Sequence, residues 1–177
     1  MGDVIRVDFQ RATRDRAWSA YAEGMTLDQD ETKLAAAEFA YRRAILSIDP
    51  SFAAAHTNLA NVVYQLGRAD EAVRHYHIAI GLEPEAPEAF FNLAVLYHNR
   101  GNPSRAAAFL ETAVTRSFQD RPVEFLAETY YRLALAYDEC GNPELAGPFW
   151  RRVIELMPDS DWAKKAKQWF LITGESQ

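Results

Sequence analysis

The tripeptide Asn58-Leu59-Ala60 returns as Asn92-Leu93-Ala94 at a shift of 34 residues, and this spacing limits the possible folds more than any other feature. Gly67, Ala72 and Ala79 return as Gly101, Ala106 and Ala113 at the same shift. Leu93-Ala94 returns again as Leu133-Ala134 at a shift of 40, together with Tyr97 as Tyr137, Gly101-Asn102-Pro103 as Gly141-Asn142-Pro143, and Ala106 as Ala146. Six residues are therefore inserted, and they fall within Phe118–Leu126. Backwards, Ala72, Tyr76 and Ala79 map onto Ala37, Tyr41 and Ala44 at a shift of 35, and Pro84 maps onto Pro50 at 34. Periods of this size belong to stacked supersecondary units, none of which can bury its apolar face alone.

The pattern inside one period identifies the unit. Leu59, Ala60 and Val63 form an apolar stripe that stops at Gly67 and resumes at Ala72, Tyr76 and Ala79. Steps of three and four residues mark amphipathic helices. Glycine just past the first helix supplies the left-handed residue that ends it, and Pro84 stops the second. The expected fold is all-α, a solenoid of helix–turn–helix units with alanine wherever two helices cross closely.

These residues closely resemble the tetratricopeptide repeat. Its places are held in 53–86 by His56, Leu59, Ala60, Val63, Gly67, Ala72, Tyr76, Ala79 and Pro84. In 87–120 they are held by Phe90, Leu93, Ala94, Tyr97, Gly101, Ala106, Leu110 and Ala113, with Phe118 replacing the proline. In 127–160 they are held by Tyr130, Leu133, Ala134, Tyr137, Gly141, Ala146, Trp150, Val153 and Pro158. A degenerate first repeat, roughly 17–52, keeps Gly24, Leu27, Ala37, Tyr41, Ala44 and Pro50. The resemblance implies a right-handed superhelix built from residues 14–177, with an insert at 121–126; Phe118–Leu126 are expected to form a loop or a helical extension. Pro148 is expected to bend the second helix of the last repeat. Ser160 is expected to cap a final helix, 160–172, whose Trp162, Ala163, Ala166, Trp169 and Phe170 cover the end of the core; the tryptophans could alternatively form an outward contact.

The resemblance also places the first helices of successive repeats along a concave, ligand-binding groove. Its positions hold Thr57, Asn58, Asn61 and Tyr64, then Phe91, Asn92, Val95 and His98, then Tyr131, Arg132 and Leu135. Asn58 and Asn92 occupy equivalent places, and Arg132 takes that place in the last repeat. A carboxamide both donates and accepts, so a ladder of them suits an extended peptide backbone. The competing role for these asparagines is to bond neighbouring helices. Arg132 could grip a carboxylate through two parallel hydrogen bonds. The lysines of a carboxylate clamp are missing, since Glu88 stands at one of their places.

Composition narrows the function further. A net charge of -6 argues against a nucleic-acid partner, which needs clustered Lys and Arg. Cys140 is the only cysteine, so neither an internal disulfide nor a cysteine metal cage can form. Nothing resembles a secretory leader or a membrane span, and a cytoplasmic location is expected. His75 and His77, two apart on one helix, point away from each other and cannot share a metal; His56 fills a core position. No phosphate loop, zinc motif or nucleophile elbow is present, so no enzyme, metal or cofactor is expected. The expected partner is a protein or peptide. The alternatives are a self-assembling homo-oligomeric scaffold, or the oligomerising or sensory part of a larger regulator. Residues 1–13 read as an N-terminal arm in which Ile5, Val7 and Phe9 alternate in a strand-like way. Pairing through that arm and simple packing or fraying of a tail remain open alternatives.

Overall fold

The computed structural model describes residues 2–47, 51–116 and 121–174, with side chains in 14–46, 51–116 and 121–174. Among these residues every regular element is helical, and the chain is an all-α helical-repeat solenoid. It divides into two compact units, Met1–Pro84 and Glu85–Gln177. The N-terminal unit contains α1 (Gly2–Leu27), a short 3-10 turn (Glu31–Lys33), α2 (Leu34–Ser47), α3 (Ala53–Gln65) and α4 (Ala69–Leu82). The C-terminal unit contains α5 (Pro87–Asn99), α6 (Pro103–Arg116), α7 (Val123–Glu139), α8 (Pro143–Leu156) and α9 (Asp161–Thr173). Consecutive helices pair as α1–α2, α3–α4, α5–α6 and α7–α8.

One turn is used three times. Gly67, Gly101 and Gly141 have φ of 82°, 70° and 75°, a region closed to most side chains. Past each glycine the next amide reaches back five residues: Arg68 N–H to the Val63 carbonyl at 2.9 Å, and Asn102 and Asn142 to Tyr97 and Tyr137 at 3.0 Å. These bonds satisfy carbonyls that the ending helix leaves unpaired. Pro103 and Pro143 then start the next helix, where a missing N–H costs nothing. The repeating Gly-Asn-Pro is thus a complete stop-and-start signal.

Inside each hairpin, small residues set the approach. Ala60, Ala94 and Ala134 and their partners Ala72, Ala106 and Ala146 are fully buried. Between them lie Tyr41, Tyr76, Leu110 and Trp150, also buried, one per repeat. Gly24 takes the small position of the first repeat, and its backbone lies so close to Tyr41 that a Cβ there would sit 2.6 Å from the ring. Burial of a large side chain of this kind contributes about 1.5–3 kcal/mol.

One expectation needs correction. The alternation at Ile5, Val7 and Phe9 does not make a strand, because the backbone from Gly2 is helical. No Gly or Pro interrupts Asp3–Glu23, so nothing stops the helix. Of the two forms expected for the insert, its described part takes mainly the helical one: α7 starts at Val123 and has 17 residues where α3 and α5 have 13. The remainder of the expected insertion, 118–120, lies outside the described residues, as does Pro50. The helix α8 runs through Pro148 to Leu156, and the proline is exposed, so water can meet the carbonyl it leaves unpaired.

In register, the last helix stands where the first helix of a further repeat would begin. At a shift of 34, Lys164, Lys167 and Gln168 of α9 stand where α7 has the buried Tyr130, Leu133 and Ala134. In α7 those residues face the hairpin partner, and in α9 they are exposed. Ala163, Ala166, Trp169 and Phe170 supply the buried face instead, and the Trp169 indole N–H donates to Asp138 at 2.8 Å. The Ser160 hydroxyl accepts the Ala163 N–H at 3.1 Å and fixes where α9 begins.

Two predictions follow from this packing. Gly24→Ala should lower stability by about 1–3 kcal/mol through overpacking, whereas Gly81→Ala, with open space around it, should raise it by about 0.5–1 kcal/mol. Urea midpoints that move together would contradict the close approach at Tyr41. Restoring apolar residues on α9 (Lys164→Tyr, Lys167→Leu and Gln168→Ala) should cause concentration-dependent association. Light scattering that shows an unchanged mass would refute the capping role of that face.

Candidate functional site

The first helix of each hairpin carries the residues singled out by the repeat register, and the two units use them differently. In the N-terminal unit Thr57, Asn58, Asn61 and Tyr64 line up on α3, all half-buried. The Asn58 amide donates to the Tyr21 hydroxyl at 3.1 Å and to the Tyr41 hydroxyl at 3.3 Å, and Tyr41 donates in turn to the Asp28 carboxylate. Asn61 accepts from the Tyr76 hydroxyl at 2.5 Å, and the Thr57 hydroxyl donates to the Ala53 carbonyl at 3.2 Å. Burial first, and then the Asp28 carboxylate, raises the Tyr41 phenol well above its ordinary value, so it stays a neutral donor. Asn58 thus braces α3 against α1 and α2.

The C-terminal unit presents Phe91, Asn92, Val95 and His98 on α5 and Tyr131, Arg132 and Leu135 on α7, again half-buried. Val95, His98, Arg132 and Leu135 meet around a shallow depression that Ala94 and Leu110 complete. Most of its lining is aliphatic, with two cationic or titratable groups at the edge. Arg132 is held in place there. Its Nε and Nη2 donate to one Glu128 oxygen at 2.9 and 2.7 Å, and its guanidinium lies over the Phe91 ring at 5.5 Å. Phe125 packs against Phe91 with ring centres 5.2 Å apart. On α5, His98 Nε2 lies 2.9 Å from a Glu139 oxygen, outside the alignment of a good hydrogen bond.

An aromatic platform adjoins the depression. Tyr131 stacks on Trp162 of α9 at 5.8 Å and meets Trp150 edge-on at 5.4 Å. Lys165 donates to the Tyr131 hydroxyl at 3.2 Å, its ammonium 5.5 Å from the ring centre. Arg121 pairs with Glu88, tying the segment before α7 to α5.

Phe125 and Lys165 were not singled out from sequence as site residues, and Trp162 was read as part of a cap with an outward contact as the alternative. Phe125 falls in what reads as an insert, and Trp162 and Lys165 fall in what reads as a cap. The signal was available, because the 34-residue shift carries Glu128 to Trp162 and Tyr131 to Lys165. His56 and His75 also escaped notice as a pair; their Nδ1 atoms are 3.0 Å apart within the N-terminal unit. Among the described residues no three His, Cys, Asp or Glu are grouped to hold a metal ion, and no helix is long and apolar enough to cross a membrane.

Known proteins match this chain along most of its length. Tetratricopeptide-repeat family models match residues 27–76, 57–122 and 127–160. Photosystem I assembly protein Ycf3 of Cyanophora paradoxa is 26% identical over 163 residues, spanning 91% of this chain and 78% of that protein. The crystal structure of MamA aligns with a TM-score of 0.67 at 19% identity, covering 81% of this chain and 80% of that one. The first tetratricopeptide domain of Spaghetti (RPAP3), bound to the HSP90 peptide SRMEEVD, aligns with a TM-score of 0.60 at 20% identity, covering 70% of this chain and 94% of that one. With family models matching more than half of its residues, and with its hairpins closed by the repeated glycine turn, the chain belongs to the tetratricopeptide-repeat family.

Proposed function

We propose that the chain is a non-enzymatic protein-interaction module, and that the α5–α7 face of the C-terminal unit receives an extended segment of a partner protein. The observation that carries this is the preset Arg132, fixed by Glu128 and Phe91 above an aliphatic depression. Such a face takes a small apolar side chain into the depression and an acidic group onto the guanidinium. Tyr131 and Trp162 add flat apolar surface beside it, the residue types that dominate interface energetics. Asn92, at the place equivalent to Arg132 on α5, is suited to the ligand backbone.

Support also comes from relatives. Ycf3 is named for the assembly of photosystem I, and the Spaghetti domain was solved with a peptide bound. By analogy, the chain would hold a client protein while a larger complex is built. A reducing compartment such as the cytoplasm suits the single cysteine, Cys140.

A scaffold made of copies of the chain is the second reading. It is favoured by the apolar surface that α2 leaves open, where Phe39 and Leu46 are 66% and 78% exposed.

Comparing partner capture by the wild type with capture by site variants tests the first reading. Arg132→Ala and Phe91→Ala should each weaken binding about tenfold or more, with helicity and mass unchanged. Glu128→Gln should strengthen it, because the carboxylate competes with an acidic ligand for Arg132. Asn58→Ala should instead destabilise the N-terminal unit by about 1–2 kcal/mol and leave capture at the C-terminal unit intact. Full capture by the Arg132 and Phe91 variants would rule out this face. Recovery of the chain alone, with a mass that rises with concentration, would select the scaffold.

A further inference from the structure

We propose that two copies of the chain pair through the outer face of α2, as a closed dimer of antiparallel helices. Ala36, Phe39, Arg43 and Leu46 follow one another at steps of three, four and three, so they form one stripe along α2. Ala37, Tyr41 and Ala44 on the opposite face are buried in the hairpin. Phe39 and Leu46, at 66% and 78%, are the most exposed large apolar side chains described in the N-terminal unit. Their places are exposed in all four hairpins, yet elsewhere they hold Arg74 and Gly81, Ala108 and Thr115, and Pro148 and Glu155. The repeat architecture therefore does not call for large apolar residues there, and α2 carries two.

The stripe complements itself. One end is small, the other is large, and a ring and a cation lie between them. When a second α2 runs antiparallel about a two-fold axis level with Tyr41, Leu46 of each copy meets Ala36 of the other. Phe39 of each copy then meets Arg43 of the other, a cation set against a ring. Arg43 is tied to Glu23 of α1, which holds the guanidinium beside the stripe. An arginine tied in this way still serves a ring: Arg132 bonds Glu128 while lying over Phe91. A parallel pair in register would instead set Arg43 against Arg43, and a wholly apolar helix would cover that charge with nothing polar.

Each contact of this kind is made twice, so the assembly closes at two copies. One helix pair buries less than the roughly 1,200–2,000 Å² of a standard stable interface, and the dimer is weak and reversible. It uses no residue of the α5–α7 face and does not depend on what that face binds. It also differs from an open scaffold, in which copies add without limit.

Sedimentation equilibrium of the full chain tests the pairing. The mass should rise from 20.1 kDa toward twice that value as the concentration approaches about 1 mM, and go no further. Phe39→Glu and Leu46→Glu should each weaken the pair about tenfold or more, with helicity unchanged because both residues are exposed. Ile78→Glu, at the place of Arg43 on α4, should leave the mass curve as it is. Arg43→Gln should weaken an antiparallel pair by removing the cation from the ring, whereas it would strengthen a parallel one by removing like charges. A mass held at 20.1 kDa throughout, a mass that passes two copies, or equal weakening by Ile78→Glu would overturn the proposal. So would stronger pairing of Arg43→Gln, or a pair indifferent to the changes at Phe39 and Leu46. Should the glutamate variants fail to fold, the wild-type mass and Arg43→Gln decide.

Discussion

Two helices exclude water from the space between them only if their backbones come close, and close approach is possible only where side chains are small. Everything else in this chain depends on that constraint. Alanine at 60, 94 and 134, alanine at 72, 106 and 146, and glycine at 24 let each hairpin close around one large residue, Tyr41, Tyr76, Leu110 or Trp150. The closed hairpin then holds its first helix rigidly enough to present a fixed row of side chains. In the C-terminal unit that row becomes a depression with a positioned arginine, and in the N-terminal unit it becomes a set of braces.

The repeating elements were legible because they have a period and a chemistry. A left-handed glycine, a proline without a donor and a buried alanine leave few alternatives, so the hairpins from α3 onward could be read from spacing. The start of α1 was not. Alternation over Ile5–Phe9 is too short to outweigh an uninterrupted run with no helix breaker, and local pattern lost to chain continuity. The insert could be read as a loop or as a helical extension, and spacing alone could not choose, because inserted residues can lengthen the following helix as well as loop out.

The candidate site was only half legible. Register assigns a position to a face but cannot say whether the side chain turns to solvent or to its own scaffold. Register puts Asn58 in the groove, but only the structure shows that Tyr21 and Tyr41 of the degenerate first repeat engage its amide. Arg132 and Phe91 could be named, but not the contacts by which Phe91 and Glu128 hold the guanidinium in place. The histidine pair joins two helices at a separation of 19 residues, and no local rule signals a meeting of that kind.

The polar face of α9 bears on how such a molecule can change length. The lysines and glutamine there make the outermost helix acceptable to water, so the number of stacked hairpins is written in a few surface side chains. A repeat appended after α9 would have to dehydrate Lys164 and Lys167, whereas α7, inside the C-terminal unit, meets apolar neighbours from both α6 and α8. Growth from within is the inexpensive route, and gene duplications that lengthen such chains should therefore leave α9 as the last helix of the stack.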